Sequence, residues 1–164
     1  MTNIRVTPVT FQKCKTFKKK DVKERKSMSY RIIIAGGRTF NDYQTAKNEI
    51  TKIITALPGI DTGMKDIEII SGCAKGADTL GIKYAAENNI KMTPFPADWK
   101  NLGRKAGMIR NGQMLDYATK PKHKGVLIAF WDGQSHGTKN IIERCQKVKN
   151  MTVHVIMYNT KTTT

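Results

Sequence analysis

The chain has 164 residues, 39% of them hydrophobic and only 7% aromatic, which suits one domain with a mainly aliphatic core. Its 29 Lys and Arg against 13 Asp and Glu give a formal charge of +16, so anionic partners such as nucleotides, nucleic acid or acidic surfaces are favoured. Three cysteines, an odd count without CxxC spacing, argue against a disulfide framework or a zinc site, and no metal is expected. No run of about 18 apolar residues exists to span a membrane, and the N-terminus lacks the apolar middle of a signal peptide. A reducing, cytoplasmic setting is the expectation, with no membrane partner.

Residues 1–27 contain "KCKTFKKKDVKERK" and little periodic hydrophobicity, and read as a basic flexible arm. Residues 1–30 alone carry nine Lys and Arg against two acids. Nucleic acid is a possible partner of this arm. "MSYRIII" from Met28 reads like a natural beginning, so the first 27 residues also fit an upstream extension of the frame. The folded domain is expected over 28–158, with 159–164 as a disordered tail.

From Tyr30 onward strands and helices alternate. "RIIIA" (31–35) is a β-branched strand ended by Gly36 and Gly37. A helix follows over 41–57, with Tyr43, Ala46, Ile50, Ile53 and Leu57 at helical spacing and Asn41 or Asp42 as its cap. "IEII" (67–70) is a second strand, 76–89 a second helix, and "KMTPF" (91–95) a third strand with an irregular, proline-marked end. The spacing predicts a helix over 103–118, weakened by Gly107 and Gly112. "GVLIAFW" (125–131) is apolar on both faces, 138–150 is a helix, and "TVHVIM" (152–157) closes the series. Apolar strands alternating with helices predict an α/β fold: one Rossmann-like three-layer domain around a mainly parallel sheet of about five strands.

In such sheets ligands bind beyond the carboxyl ends of the strands. Three of those ends carry small or polar loops, "AGGRTF" (35–40), "SGCAKGAD" (71–78) and "WDGQSHGTKN" (131–140), expected on one edge. Helix N-termini attract phosphate, and glycine lets backbone approach a ligand closely. Gly72 and Gly76 bracket one such turn, with Lys75 between them; Gly133, Gly137 and Thr138 form another. Ser71, Ser135 and Thr138 offer hydroxyls. Arg38 and Arg110, beside Asn111, suit bidentate contacts to phosphate. Phe40 and Trp99 flank polar loops, where each ring either stacks on a base or packs in the core. His136 lies in the third glycine loop and is a further contact candidate. No GxGxxG or GxxxxGK[ST] loop is present, which disfavours a standard dinucleotide fold or a P-loop. No nucleophile–base pair stands out, and no cofactor is called for.

Four stretches, "RIIIAGGRTFNDY", "IISGCAKGADTLGIKYA", "FPADWKNLGRKAGMIRNGQML" and "AFWDGQSHGTKNII", resemble in order the motifs of the SLOG superfamily. That superfamily joins the DNA-processing protein DprA/Smf to the LOG phosphoribohydrolases, and the resemblance is to its YspA-like, cpYpsA-related branch. It spans about residues 30–157. It implies a nucleotide or nucleotide-derivative site built from Gly36, Gly37, Arg38, Thr39, Ser71, Gly72, Gly76, Asp78, Arg110, Asn111, Gly133, Ser135, Gly137 and Thr138. Such domains are often phage-borne, and nucleotide sugars or ADP-ribose-like molecules are the implied ligands. The LOG enzymes carry a PGGxGTxxE pattern whose glutamate supports cleavage of an N-glycosidic bond. Here the stretch reads "DGQSHGTKNI", so Ile141 stands at that position and can do no acid–base chemistry. Asp78 and Glu143 remain for another route.

The reading that follows is a binding protein for a nucleotide-derived ligand, in one version a phage-type sponge or sensor of an immune signal and a homo-oligomer, with enzyme action left uncertain and disfavoured. The alternatives are an N-glycosidic hydrolase of nucleotides or nucleotide sugars, and a DNA-binding protein related to DprA. Deleting residues 1–27 should leave the melting temperature nearly unchanged. A large drop would mean that the segment packs on the core or on another subunit.

Overall fold

The structure, a computed structural model, describes residues 29–60 and 64–160. The basic segment 1–27 and residues 161–164 of the tail lie outside the described residues.

Five strands form one all-parallel sheet in the order β3-β2-β1-β4-β5: β1 (Ser29–Gly36), β2 (Ile67–Ser71), β3 (Lys91–Pro94), β4 (His123–Trp131) and β5 (Met151–Met157). The chain winds outward from β1 through β2 to β3. It then crosses back and lays β4 against the other side of β1, in register from Ser29 beside His123 to Gly36 beside Phe130. The helices are α1 (Tyr43–Thr55), α2 (Ala77–Glu87), the single turn α3 (Trp99–Leu102), α4 (Ala106–Ala118) and α5 (His136–Gln146).

Strand periodicity sorts the core into two layers. Ile32 and Ile34 of β1 face Ala46, Ile50 and Ile54 of α1 and Tyr84 and Ala85 of α2. Ile33 and Ala35, on the opposite face, meet Met114 and Leu115 of α4 and Ile141, Ile142 and Cys145 of α5. β1 and β4 are buried on both faces, which is why their sequences are apolar without alternation.

The expected elements are all present, and two helices differ most in their bounds. The helix predicted over 103–118 starts late: Gly103, at φ +51°, separates α3, a turn not predicted, from a 3₁₀ turn at Gly103–Lys105, and α4 proper begins at Ala106. The last helix starts two residues earlier than predicted, with Ser135 at its N-cap position and no side-chain cap, and ends at Gln146. For α1 the cap is Asp42, whose carboxylate accepts from the Thr45 N–H at 3.0 Å.

α2 lies close on β1 at Gly81. A Cβ at this position would sit 2.8 Å from Cβ and Cγ2 of Ile34. Helix propensity alone favours Gly→Ala by about 1 kcal/mol, whereas forcing a methyl into a packed core costs about 1–3 kcal/mol. Gly81→Ala should therefore lower the urea midpoint. A rise would show that α2 can back away from the sheet.

Candidate functional site

β1 and β4 end side by side, and the chain leaves both at the same edge. Gly37 N–H donates to the Phe130 carbonyl at 3.0 Å, tying the first loop to the end of β4. The β2–α2 loop comes in from the other side, where Ala77 N–H donates to the Gly37 carbonyl at 3.3 Å. Gly76 sits at φ +81°, and a Cβ on it would lie 2.2 Å from that same carbonyl oxygen. A Cβ on Gly72 would lie 2.0 Å from Nη1 of Arg110. At Gly76 the protein's own packing already requires glycine, and at Gly72 a side chain would have to displace the Arg110 guanidinium.

The loops also consume many of their own donors. Cys73 N–H donates to Ser71 Oγ at 3.2 Å and Ala74 N–H to Asp78 Oδ2 at 3.4 Å. Cys73 holds a left-handed backbone at φ +58°, a strained state for a residue with a side chain. In the third loop Gln134 and Ser135 N–H both donate to Asp132 Oδ1, at 2.9 and 2.8 Å, which holds the Asp132 carboxyl below its ordinary range. Neither α2 nor α5 has a side chain capping its start.

Asp78, in the first turn of α2, is 3% exposed. Arg110 of α4 reaches it with Nη1 3.7 Å from Oδ2, and the same Nη1 donates to the Gly72 carbonyl at 2.5 Å. Burial pushes the Asp78 carboxyl up to about 6, against the pull of Arg110 and of the N–H groups of Ala74, Gly72 and Gly36. Nε of Arg110 is buried and finds no acceptor among the described residues, at a cost of about 1–3 kcal/mol. One turn position on, buried Asn111 donates from Nδ2 to the Gly137 carbonyl and to Asn140 Oδ1, both at 3.2 Å, and so staples α4 to the start of α5.

These contacts frame a cavity of about 680 Å³ beyond the carboxyl ends of β1 and β4, at the point where strand order reverses. Of the residues picked from sequence, Gly36, Gly37, Arg38, Thr39, Asp78, Arg110, Asn111, Ser135, His136, Gly137 and Thr138 line it. Gly72 and Lys75 instead line a side cavity of about 420 Å³, together with Cys73, Arg38 and Arg110. Ser71 is fully buried and its hydroxyl donates to the Asp78 carbonyl at 3.2 Å. Phe40 is core: its ring stacks on Phe130 with centroids 4.6 Å apart and is 4% exposed. Gly76 lies under the first loop, and Gly133 lies outside both cavities.

The cavity wall also holds residues that were not picked as site residues: Arg104, Met108, Lys139 and Asn140. Gly107, Arg110, Asn111 and Met114 share one face of α4 at helical spacing, and that periodicity was the available signal for the helix's contribution. Trp99 is half exposed at the mouth, with the Arg38 guanidinium 5.7 Å from its ring centroid. Among the described residues no group of His, Cys, Asp and Glu is arranged to hold a metal ion.

Part of this edge matches a described family. Residues 30–102 match the family described as YspA, cpYpsA-related SLOG. The matched segment runs from β1 to α3 and contains the first two loops, so the resemblance read from their motifs is borne out there. A phage protein is also similar: the Gene 61 protein of Mycobacterium phage D29 is 28% identical over 122 residues, covering 71% of this chain and 89% of that protein. No solved structure matches significantly. No helix among the described residues is long and apolar enough to cross a membrane.

The Asp78 carboxyl ionises at about 6 in the folded chain against an ordinary value of 3.8. A raised pKa contributes stability that is whole below pH about 4 and lost as pH rises through about 6. Asp78→Asn should flatten the stability profile in that window by up to about 3 kcal/mol, read from urea unfolding between pH 4 and 7. Parallel wild-type and variant profiles would show that Asp78 is ionised without strain.

Proposed function

We propose that this protein binds a nucleotide or nucleotide-derived ligand, a nucleotide sugar or ADP-ribose-like molecule, in the cavity at the β1–β4 edge. The observation that carries the reading is the convergence of Arg38, Arg104, Arg110 and Lys139 on one cavity at the strand-order switch of a parallel sheet. The volume suits a ligand of that size, and the uncapped start of α5 adds the partial positive charge of a helix end. The match to the SLOG family supports a nucleotide ligand, and the phage relative fits the phage-type version of this reading.

Binding without turnover is the favoured form. Ile141, at the position of the LOG glutamate, is 1% exposed and packed into the α4–α5 core layer. Glu143 is exposed and paired with Lys139 at 3.8 Å. Asp132 is occupied by two backbone N–H groups. Neither Glu143 nor Asp132 is a buried, unpaired acid set for proton transfer to a leaving base, and Asp78, the buried acid of the cavity, is paired with Arg110 at 3.7 Å.

Mass spectrometry of small molecules released from the denatured protein should find a phosphate-bearing nucleotide derivative. An empty protein whose melting temperature no nucleotide shifts would count against the reading. Losing a charged hydrogen bond costs about 1.5–3 kcal/mol, so Arg110→Ala should weaken binding at least about tenfold. Because that change strands the buried Asp78, the comparison is best made in an Asp78→Asn background. Release of free base from AMP should stay well under about 1 s⁻¹. Faster release would promote the hydrolase.

A further inference from the structure

The side cavity shares a wall with the larger one. Arg38, Ala74, Trp99 and Arg110 line both. The two differ in charge. The larger cavity sets Asp78, Asp132 and Glu143 beside its four cations. The side cavity gathers Arg38, Lys75 and Arg110 and includes no carboxylate in its lining. Arg110 is partly offset by Asp78, but neither Arg38 nor Lys75 makes an ion pair among the described residues. Like charges gathered in a concave space repel one another, and an anion relieves that repulsion.

We propose that the side cavity is a second anion subsite, so that the ligand carries a diphosphate, or two separate acidic groups, across the Arg38–Arg110 wall. This rests on the anion-binding reading above and narrows it. A single phosphate placed in the larger cavity leaves Lys75 unneutralised. A diphosphate lying across the shared wall meets Arg38 and Arg110 along its length and brings one end to Lys75. The uncharged remainder of the ligand then occupies the larger cavity, where the carboxylates of Asp132 and Glu143 can accept from hydroxyl groups. Nucleoside diphosphates and diphosphate-bridged nucleotide derivatives have this chemistry, whereas nucleoside monophosphates do not.

Orthophosphate and pyrophosphate test the subsite without knowledge of the base. Both are titrated into the full chain and followed by backbone amide shifts in NMR. Pyrophosphate should bind at least about tenfold more tightly than orthophosphate, with saturable shifts at Lys75 and its neighbours. Lys75→Ala should bring the two affinities to within about twofold, while Lys147→Ala, exposed and outside both cavities, keeps the preference; Lys75 is exposed, so its removal leaves the fold in place. Equal affinities in the wild type, or a preference that survives Lys75→Ala, overturn the second subsite and leave the single-anion reading standing. A preference lost only in Arg104→Ala moves the second anion into the larger cavity and overturns the proposal likewise. Saturable binding of neither anion overturns both this inference and the anion-binding reading beneath it.

Discussion

The buried pairing of Asp78 with Arg110 organises the carboxyl edge of this sheet. It joins the first turn of α2 to the middle of α4 across the β2–α2 loop, and the same guanidinium holds the Gly72 carbonyl. Burying a charge is tolerable only when it is paired and hydrogen-bonded. Asp78 meets that condition through Arg110 and through backbone N–H groups of two loops. The carboxylate therefore pins the end of β1, the β2–α2 loop and α4 at once. Arg110 is also a wall of both cavities, so the group that closes the structure is the group that faces the open space at this edge.

The two ends of the sheet treat charge differently. At the amino end Glu68 is nearly buried among Arg31 and Lys91, each at 3.1 Å, the Tyr117 hydroxyl at 2.9 Å, and the Thr93 hydroxyl. Burial pushes its carboxyl up, but the hydrogen bonds from Thr93, Tyr117, Lys91 and Arg31 win and hold it at about 2. Arg31 is itself completed by the Tyr117 carbonyl at 2.7 Å and by the face of the Tyr117 ring. That network is closed, and its work is to hold strands and α4 together. At the carboxyl end burial wins at Asp78, Arg110 keeps a donor without an acceptor, and Arg38 and Arg104 make no ion pair among the described residues. Incomplete satisfaction concentrated at one edge is what a binding site requires and what a purely structural cluster avoids.

The glycine-rich loops have two physical reasons to be small. The first is internal: Gly76 accommodates the Gly37 carbonyl and Gly72 accommodates Arg110. The second lies beneath the cavity, where a Cβ on Gly36 would sit 2.3 Å from the Phe130 carbonyl oxygen and one on Gly37 would clash with the Tyr158 hydroxyl. Several donors that a phosphate loop would present outward are turned inward at Cys73, Ala74 and Ala77. Positive charge at this edge is therefore supplied mainly by side chains, those of Arg38, Arg104 and Lys75.

The sequence alone determined the order and type of the elements, because apolar strands and helical spacing are local periodicities that survive without tertiary information. It also determined that three small loops follow strands, and that a parallel sheet brings such ends to one edge. The turn α3 and the late start of α4 were missed because a single helical turn and the 3₁₀ turn at Gly103–Lys105 leave no hydrophobic periodicity. What the tertiary structure decided was which loop residues face solvent. Phe40 and Arg38 are two positions apart in one motif, yet the ring stacks in the core on Phe130 and the guanidinium stands at the cavity mouth. Arg104 and Lys139 joined the site through the packing of α4 against α5, and Lys75 went to a separate cavity. Such assignments depend on contacts between residues far apart in the chain. The pairing of Asp78 with Arg110, 32 positions away, is the contact that no local pattern encodes and on which the shape of the site rests.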